Sequence, residues 1–167
     1  MELLKLATEW AKAEVFSTRF FILFAILFLI ASIGFWQMGK TDLAKAYIIP
    51  TLIAGLLLMT IGLGLFYTKK SRITQFENAF NDDASAFFQS EIKRSESTLK
   101  EYTIVFKVIP ILIIIAASLI LFNNTPTWIA ISITTIAMLI VILLVDGTAH
   151  SRIVNYHNDL ISLDIQN

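Results

Sequence analysis

The sequence predicts an all-α, multi-pass membrane protein, with four transmembrane helices extended into a cytoplasmic helical bundle. Three observations carry that prediction. Apolar types make up 56% of the 167 residues and charged types 16%, against about 25% charged in ordinary soluble domains. Three stretches carry no charge at all: Phe20 to Gly39, Ala46 to Thr68 and Val108 to Val145. A 3-4 spacing of apolar residues then runs out of those stretches into the polar segments, as a helix face packed on other helices requires. Backbone amides in hydrocarbon must bond within their own segment, so runs this long and apolar read as helices.

At the N-terminus, Leu3, Leu6, Trp10 and Ala13 give residues 2–16 an amphipathic helical face. This helix either extends the first span or lies in the headgroup layer with Trp10 as its anchor. Phe20 to Gly39 supplies 20 uncharged residues, the number that crosses a core of about 30 Å at about 1.5 Å per residue. The first span is therefore placed at about 18–39. It is longer than a signal-peptide core, and no A-x-A-like cleavage site follows it, so it reads as a retained anchor. Thr41-Asp42 has the chemistry of a helix N-cap and acidic first turn, and opens a second span at about 44–68.

The seam of that second helix runs Gly55, Met59, Gly62, Phe66, then Ile73, Phe76 and Phe80. Residues 69–102 thus form a cytoplasmic helical hairpin, with Asn81-Asp82-Asp83 as its turn and Asp83 as a cap. Its acidic residues Glu77, Asp82, Asp83 and Glu91 read as solvated groups at the tip. The return seam is Phe88, Ile92, Ser95, Leu99, Tyr102, Phe106, Ile109 and Ile113, leading into a third span at about 103–122 that Pro110 should kink. Val108 to Val145 is 38 residues long, too long for one crossing. Asn123-Asn124-Thr125-Pro126-Thr127 divides it, giving a fourth span at about 127–146. A C-terminal helical extension over 147–165 follows, with Ala149, Ile153, Tyr156, Leu160 and Leu163 as its stripe.

Lysines and arginines in short loops stay on the cytoplasmic side. Ten lie in the N-terminal segment, the 69–101 segment and the tail, against two in the first connection. The expected location is the cytoplasmic (inner) membrane, with both termini inside. Thirteen basic and thirteen acidic residues cancel, which argues against general nucleic-acid binding. The absence of cysteine excludes disulfides, thiolate metal sites and thiol catalysis. No phosphate-binding glycine loop occurs, and no cofactor is expected.

Several residues stand out as site candidates. Lys107 falls inside the third span, where a charge needs a partner or a route to water, and Asp146 is the expected partner. Asp146, His150 and His157 share a helical face and are the one set that would suit a divalent metal. Interfacial histidines with solvated tips explain them without one, so no metal is expected. Thr51, Gly55, Thr60, Gly62 and Gly64 have the spacing by which small residues let helices approach closely. Phe76, Phe80, Phe87 and Phe88 form either the core of a closed bundle or a docking surface for a partner.

Arg152-Ile153-Val154-Asn155-Tyr156-His157 has R-x4-H spacing, and over these six residues the tail resembles the HEPN ribonucleases, which pair two such motifs across a dimer of helical bundles. The resemblance implies Arg152 and His157 as an RNA-cleaving pair. In that family a polar residue usually follows the arginine, where this chain has Ile153. The leading functional expectation is a non-enzymatic scaffold or interaction subunit, acting through its cytoplasmic extension on a protein partner or a second copy and surrounded by membrane lipids. The alternatives are a homo-oligomeric pore or small transporter, lined by Gln37, Thr51, Thr60, Thr135 and Lys107, and a membrane-anchored HEPN-like ribonuclease.

Overall fold

The computed structural model describes residues 1–165, with side chains through Leu163. All its elements are helical: α1 (Glu2–Met38), α2 (Asp42–Ala46), α3 (Ile48–Asp82), α4 (Ala84–Phe122) and α5 (Pro126–Ile165). Four of them are long and apolar enough to cross a membrane, the short α2 counting with α3. At 35 to 40 residues each long helix is about 52–60 Å from end to end at 1.5 Å per residue. That is nearly twice a hydrocarbon core of about 30 Å. One half of every long helix is apolar and the other half charged, and the four charged halves gather at one end of the bundle.

No helix breaks near residue 16, 68, 102 or 146, so each predicted span and its predicted extension form a single rod. At the N-terminus this selects continuation of the helix over a separate one. The local reason lies at Ser17 and Thr18, both buried. Thr18 Oγ1 donates to the Val15 carbonyl at 2.7 Å, the back-bonding of a mid-helix threonine and not a cap. The true caps lie elsewhere. Thr41 Oγ1 accepts from the Ala44 N–H at 3.1 Å, and Asp83 Oδ1 accepts from the Ala86 N–H at 2.9 Å, so a single residue, Asp83, separates α3 from α4. Pro110 lies inside α4, which continues through it to Phe122. Pro126 opens α5 in the first turn, where its missing N–H has no partner to lose.

The helices associate as two close pairs, α1 with α3 and α4 with α5, and α5 also packs on α1. Consecutive α3 and α4 touch far less, and the ring contacts between them are Phe76–Phe87 and Phe80–Phe87 beside the turn. Gly55 and Gly62 set the α1–α3 approach. A Cβ on Gly55 would lie 2.8 Å from Leu29 Cγ, and one on Gly62 would lie 2.9 Å from Ile22 Cγ1. Thr51 is buried on the same helix, its hydroxyl donating to the Tyr47 carbonyl at 2.6 Å. Thr60 and Gly64 are exposed, and a Cβ on Gly64 would meet nothing within 4 Å. At the far end Ser32 Oγ donates to the Ile48 carbonyl at 2.8 Å, tying α1 to the start of α3.

Two cores result. Phe21, Ala25, Leu58, Val141 and Val145 form one in the apolar half. In the charged half, Trp10, Phe76, Phe87, Ile153, Tyr156 and Leu160 form the other with Ala7 and Ala11. Phe80 and Phe88 pack against this second core, so all four phenylalanines close the end of the bundle.

Candidate functional site

The charged end holds its ionic groups inside. Glu91 on α4 is 3% exposed. Its Oε1 accepts from Arg94 Nε at 2.9 Å, and its Oε2 accepts both from Arg94 Nη2 and from the Tyr156 hydroxyl, the latter at 2.6 Å. The Arg94 guanidinium lies 4.3 Å from the centroid of the Trp10 ring, and that ring stacks on Tyr156 with centroids 4.9 Å apart. A carboxylate and an arginine from α4, an indole from α1 and a phenol from α5 thus make one buried unit. Burial, and then the Glu91 charge, hold the Tyr156 proton on, raising that pKa above the ordinary tyrosine value.

One helical turn toward the apolar half, Glu14 is 2% exposed and accepts from Lys69 Nζ at 2.5 Å, joining α1 to α3. Buried pairs of this kind are costly to break because the surviving partner keeps its desolvation penalty. Between these pairs, and bounded by all four long helices, lies a cavity of about 390 Å³. Lys69 and Arg72 face it from α3, Arg94 and Tyr102 from α4, Glu14 from α1 and Asp146 from α5. Toward the apolar half its lining turns to Phe21, Leu65, Val105 and Val145.

Three buried polar atoms of these lining residues have no hydrogen-bond partner among the described residues: Glu14 Oε1, Arg94 Nη1 and Trp10 Nε1. Arg72 is half-buried and forms none of the ion pairs or hydrogen bonds found among the described residues. Burial, and then the positive charge of Arg94, lower its pKa, while the Glu91 charge opposes this. The cavity therefore presents donors and an acceptor of both signs whose capacity the protein leaves unfilled.

The residues singled out from the sequence fall into different places. Asp146 lines the cavity, with Lys69 and Glu14 as its charged neighbours. The pair foreseen between it and Lys107 is not formed. Lys107 is exposed and enters no ion pair among the described residues. Tyr102, Phe106 and Ile109 turn toward the bundle, which leaves position 107 on the outer face of α4 beside exposed Ile104 and Val108. His150 meets the rings of Tyr102 and Phe106 edge-on, at 5.6 and 5.3 Å. His157 Nδ1 lies 2.8 Å from Ser95 Oγ, which also lies within hydrogen-bond distance of the Ile92 carbonyl. Among the described residues no three His, Asp or Glu side chains gather as a metal site would require.

Arg152 and His157 lean toward different neighbours. Arg152 reaches α1, donating from Nη1 to the Ala13 carbonyl at 2.9 Å and from Nη2 to Ser17 Oγ, whereas His157 faces α4. Gln37, Thr60 and Lys107 are exposed, Thr51 bonds back to its own helix, and Thr135 borders a separate apolar cavity between α3 and α5. These five residues do not line a common passage within one chain.

Glu91 corrects the reading of a solvated tip residue. It lies two turns into α4 on the buried side, and the sequence signal was the step of four from Phe87 to Glu91 to Ser95. Glu14, Lys69, Arg72 and Arg94 carried no local signal, because their relation crosses from one helix to another. The chain matches no family model, no curated protein and no solved structure.

Proposed function

We propose that this chain is a four-span protein of the cytoplasmic membrane, with both termini and the charged end in the cytoplasm, and that it acts as a scaffold or interaction subunit. The apolar halves anchor it, and the charged end is the part that meets a protein partner or a second copy. The supporting observation is how the reactive-looking side chains are used. Arg152 cross-links α5 to α1, His157 cross-links α5 to α4, and Glu91 with Arg94 joins α4 to α1 and α5. Such cross-links make a stiff, preformed unit continuous with the spans, which is what a platform needs. The excess of ten basic residues on the cytoplasmic side over two on the other supports the orientation.

The native chain has no cysteine, so single cysteines report topology cleanly. Position 97 is expected to label only from the cytoplasm and position 124 only from outside. External labelling at 97 would reverse the orientation and remove the cytoplasmic platform. Crosslinking through exposed positions of the charged end is expected to trap a discrete partner or a dimer. If an Arg152→Ala/His157→Ala chain that still folds lost an RNA-cleaving activity present in the parent, the scaffold reading would give way to the HEPN-like one.

A further inference from the structure

The two charge signs in the cavity occupy different walls. Its cations, Lys69 and Arg72 on α3 and Arg94 on α4, stand on two neighbouring helices that touch little, which makes the cleft between α3 and α4 a route into the cavity. Its carboxylates Glu14 and Asp146 stand on α1 and α5, at the back, while Glu101 on α4 is exposed. Among the described residues Arg72 pairs with no carboxylate, Arg94 keeps Nη1 without an acceptor, and Glu14 keeps Oε1 without a donor although it is 2% exposed. Leaving such groups unmatched is costly, more so where they are charged. One occupant meets both needs if it carries an ammonium at its tip and an anionic oxygen behind it. The apolar lining at one end, continuous with the apolar half of the bundle, requires that the occupant also have a hydrocarbon part.

We propose that this cavity binds the headgroup of a zwitterionic aminophospholipid. The primary ammonium reaches Glu14 Oε1 and Asp146 at the back. The phosphodiester meets Arg72 and Arg94 at the opening, and the acyl chains leave between α3 and α4. The three basic and three acidic side chains that line the cavity balance one another, which suits a ligand without net charge. This site rests on the membrane reading above and adds a lipid class to it.

The test uses the full chain in mild detergent, stripped of lipid and titrated with ethanolamine, choline and glycerol phospholipids of identical acyl chains, with retention followed by native mass spectrometry. The ethanolamine lipid is expected to bind about tenfold or more tightly than the others. A choline headgroup has no N–H for Glu14, and a glycerol headgroup has no cation. Arg72→Gln should weaken retention of all three lipids, which share the phosphodiester, yet leave the lipid-free unfolding temperature unchanged, because Arg72 makes no hydrogen bond or ion pair among the described residues. Asp146→Asn should weaken the ethanolamine lipid most and leave the glycerol lipid unweakened. Equal retention of all three lipids, preference for the glycerol lipid, or an Arg72→Gln chain that retains all three as well as the parent does would each overturn the site. Glycerophosphoethanolamine binding as tightly as the whole lipid would overturn the assignment to a lipid. A chain that stayed soluble and monodisperse without detergent would instead refute the membrane reading itself.

Discussion

The two halves of the same four helices are built on different rules. In the apolar half small residues share the inside with a few large ones such as Phe21 and Leu58, and most large residues lie outside. Ala25, Ala54, Gly55 and Gly62 are buried, while Leu27, Ile30, Ile33, Ile111 and Ile114 are exposed. In the charged half Trp10, Phe76, Phe87 and Tyr156 fill the centre, the acidic pair members Glu14 and Glu91 are locked among them, and Lys12, Glu96 and Lys100 face outward. A helix surrounded by apolar solvent gains nothing by hiding leucine and relies on close backbone approach, whereas a helix in water gains about 1.5–3 kcal/mol for each large side chain it buries. Under the proposed membrane reading, the change of solvent falls near the cavity, where the lining passes from Arg72 and Arg94 to Phe21 and Val105.

The largest effect that would test this division is expected at Glu91. Glu91→Ala leaves Arg94 half-buried over Trp10 and Tyr156 without its acceptor, and should destabilise the charged half by about 3–5 kcal/mol. Denaturant unfolding followed by Trp10 fluorescence, with Trp36 and Trp128 replaced by Phe, reads this directly. Exposed Glu96→Ala should stay within about 0.5 kcal/mol. Comparable losses in the two variants would mean that burial of the Glu91–Arg94 pair is not what stabilises this end.

The apolar half should answer to size alone. Gly62→Leu pushes against Phe21 and Ile22 on α1 and is expected to cost about 1–3 kcal/mol, measured as thermal unfolding in detergent. Gly64→Leu, with open space around it, should be tolerated. If both substitutions were tolerated, the α1–α3 contact would not depend on close approach.

Between the halves, Arg152→Ala removes the hydrogen bonds to Ala13 and Ser17. It should cost about 1–2 kcal/mol, with faster amide exchange in residues 2–16 as its signature. Exchange rates unchanged there would argue that aromatic packing alone docks the start of α1.

The smallest effect concerns alkaline pH. Tyr156 and Tyr102 both titrate above the ordinary tyrosine value of about 10 in the folded chain, chiefly through burial. Above that pH the unfolded chain releases these protons while the folded one keeps them, so stability falls as pH rises past about 10. Tyr156→Phe should flatten this decline in an unfolding series from pH 8 to about 11. An equally steep series in the variant would locate the titrating group elsewhere.

Much of the architecture could be read from local features. Uncharged runs gave the four apolar segments, Thr41 and Asp83 had the chemistry of caps, and Gly55 and Gly62 had the spacing of a packing seam. Continuity at the N-terminus could not be read, because Ser17-Thr18 suits either a cap or a helix interior and only contact with α5 and α3 decides between them. Tyr156 and Ile153 were legible as an apolar stripe. The partners of Glu14 and Tyr156 were not, because they stand 55 and 65 residues away. Lys107 was drawn toward Asp146 by depth alone, and depth does not say which way a side chain turns around its helix axis.

The sequence alone determined that the chain forms long helices with one greasy and one charged half, since helix propensity, capping and hydropathy act within a few turns. Only the tertiary structure decided which charges meet. The pairing of Glu14 with Lys69, the enclosure of Glu91 and Arg94 by rings from α1 and α5, and the half-buried position of Arg72 all depend on the rotation and register of rods distant in the chain. Those are set by how glycines and aromatics fit against one another in space.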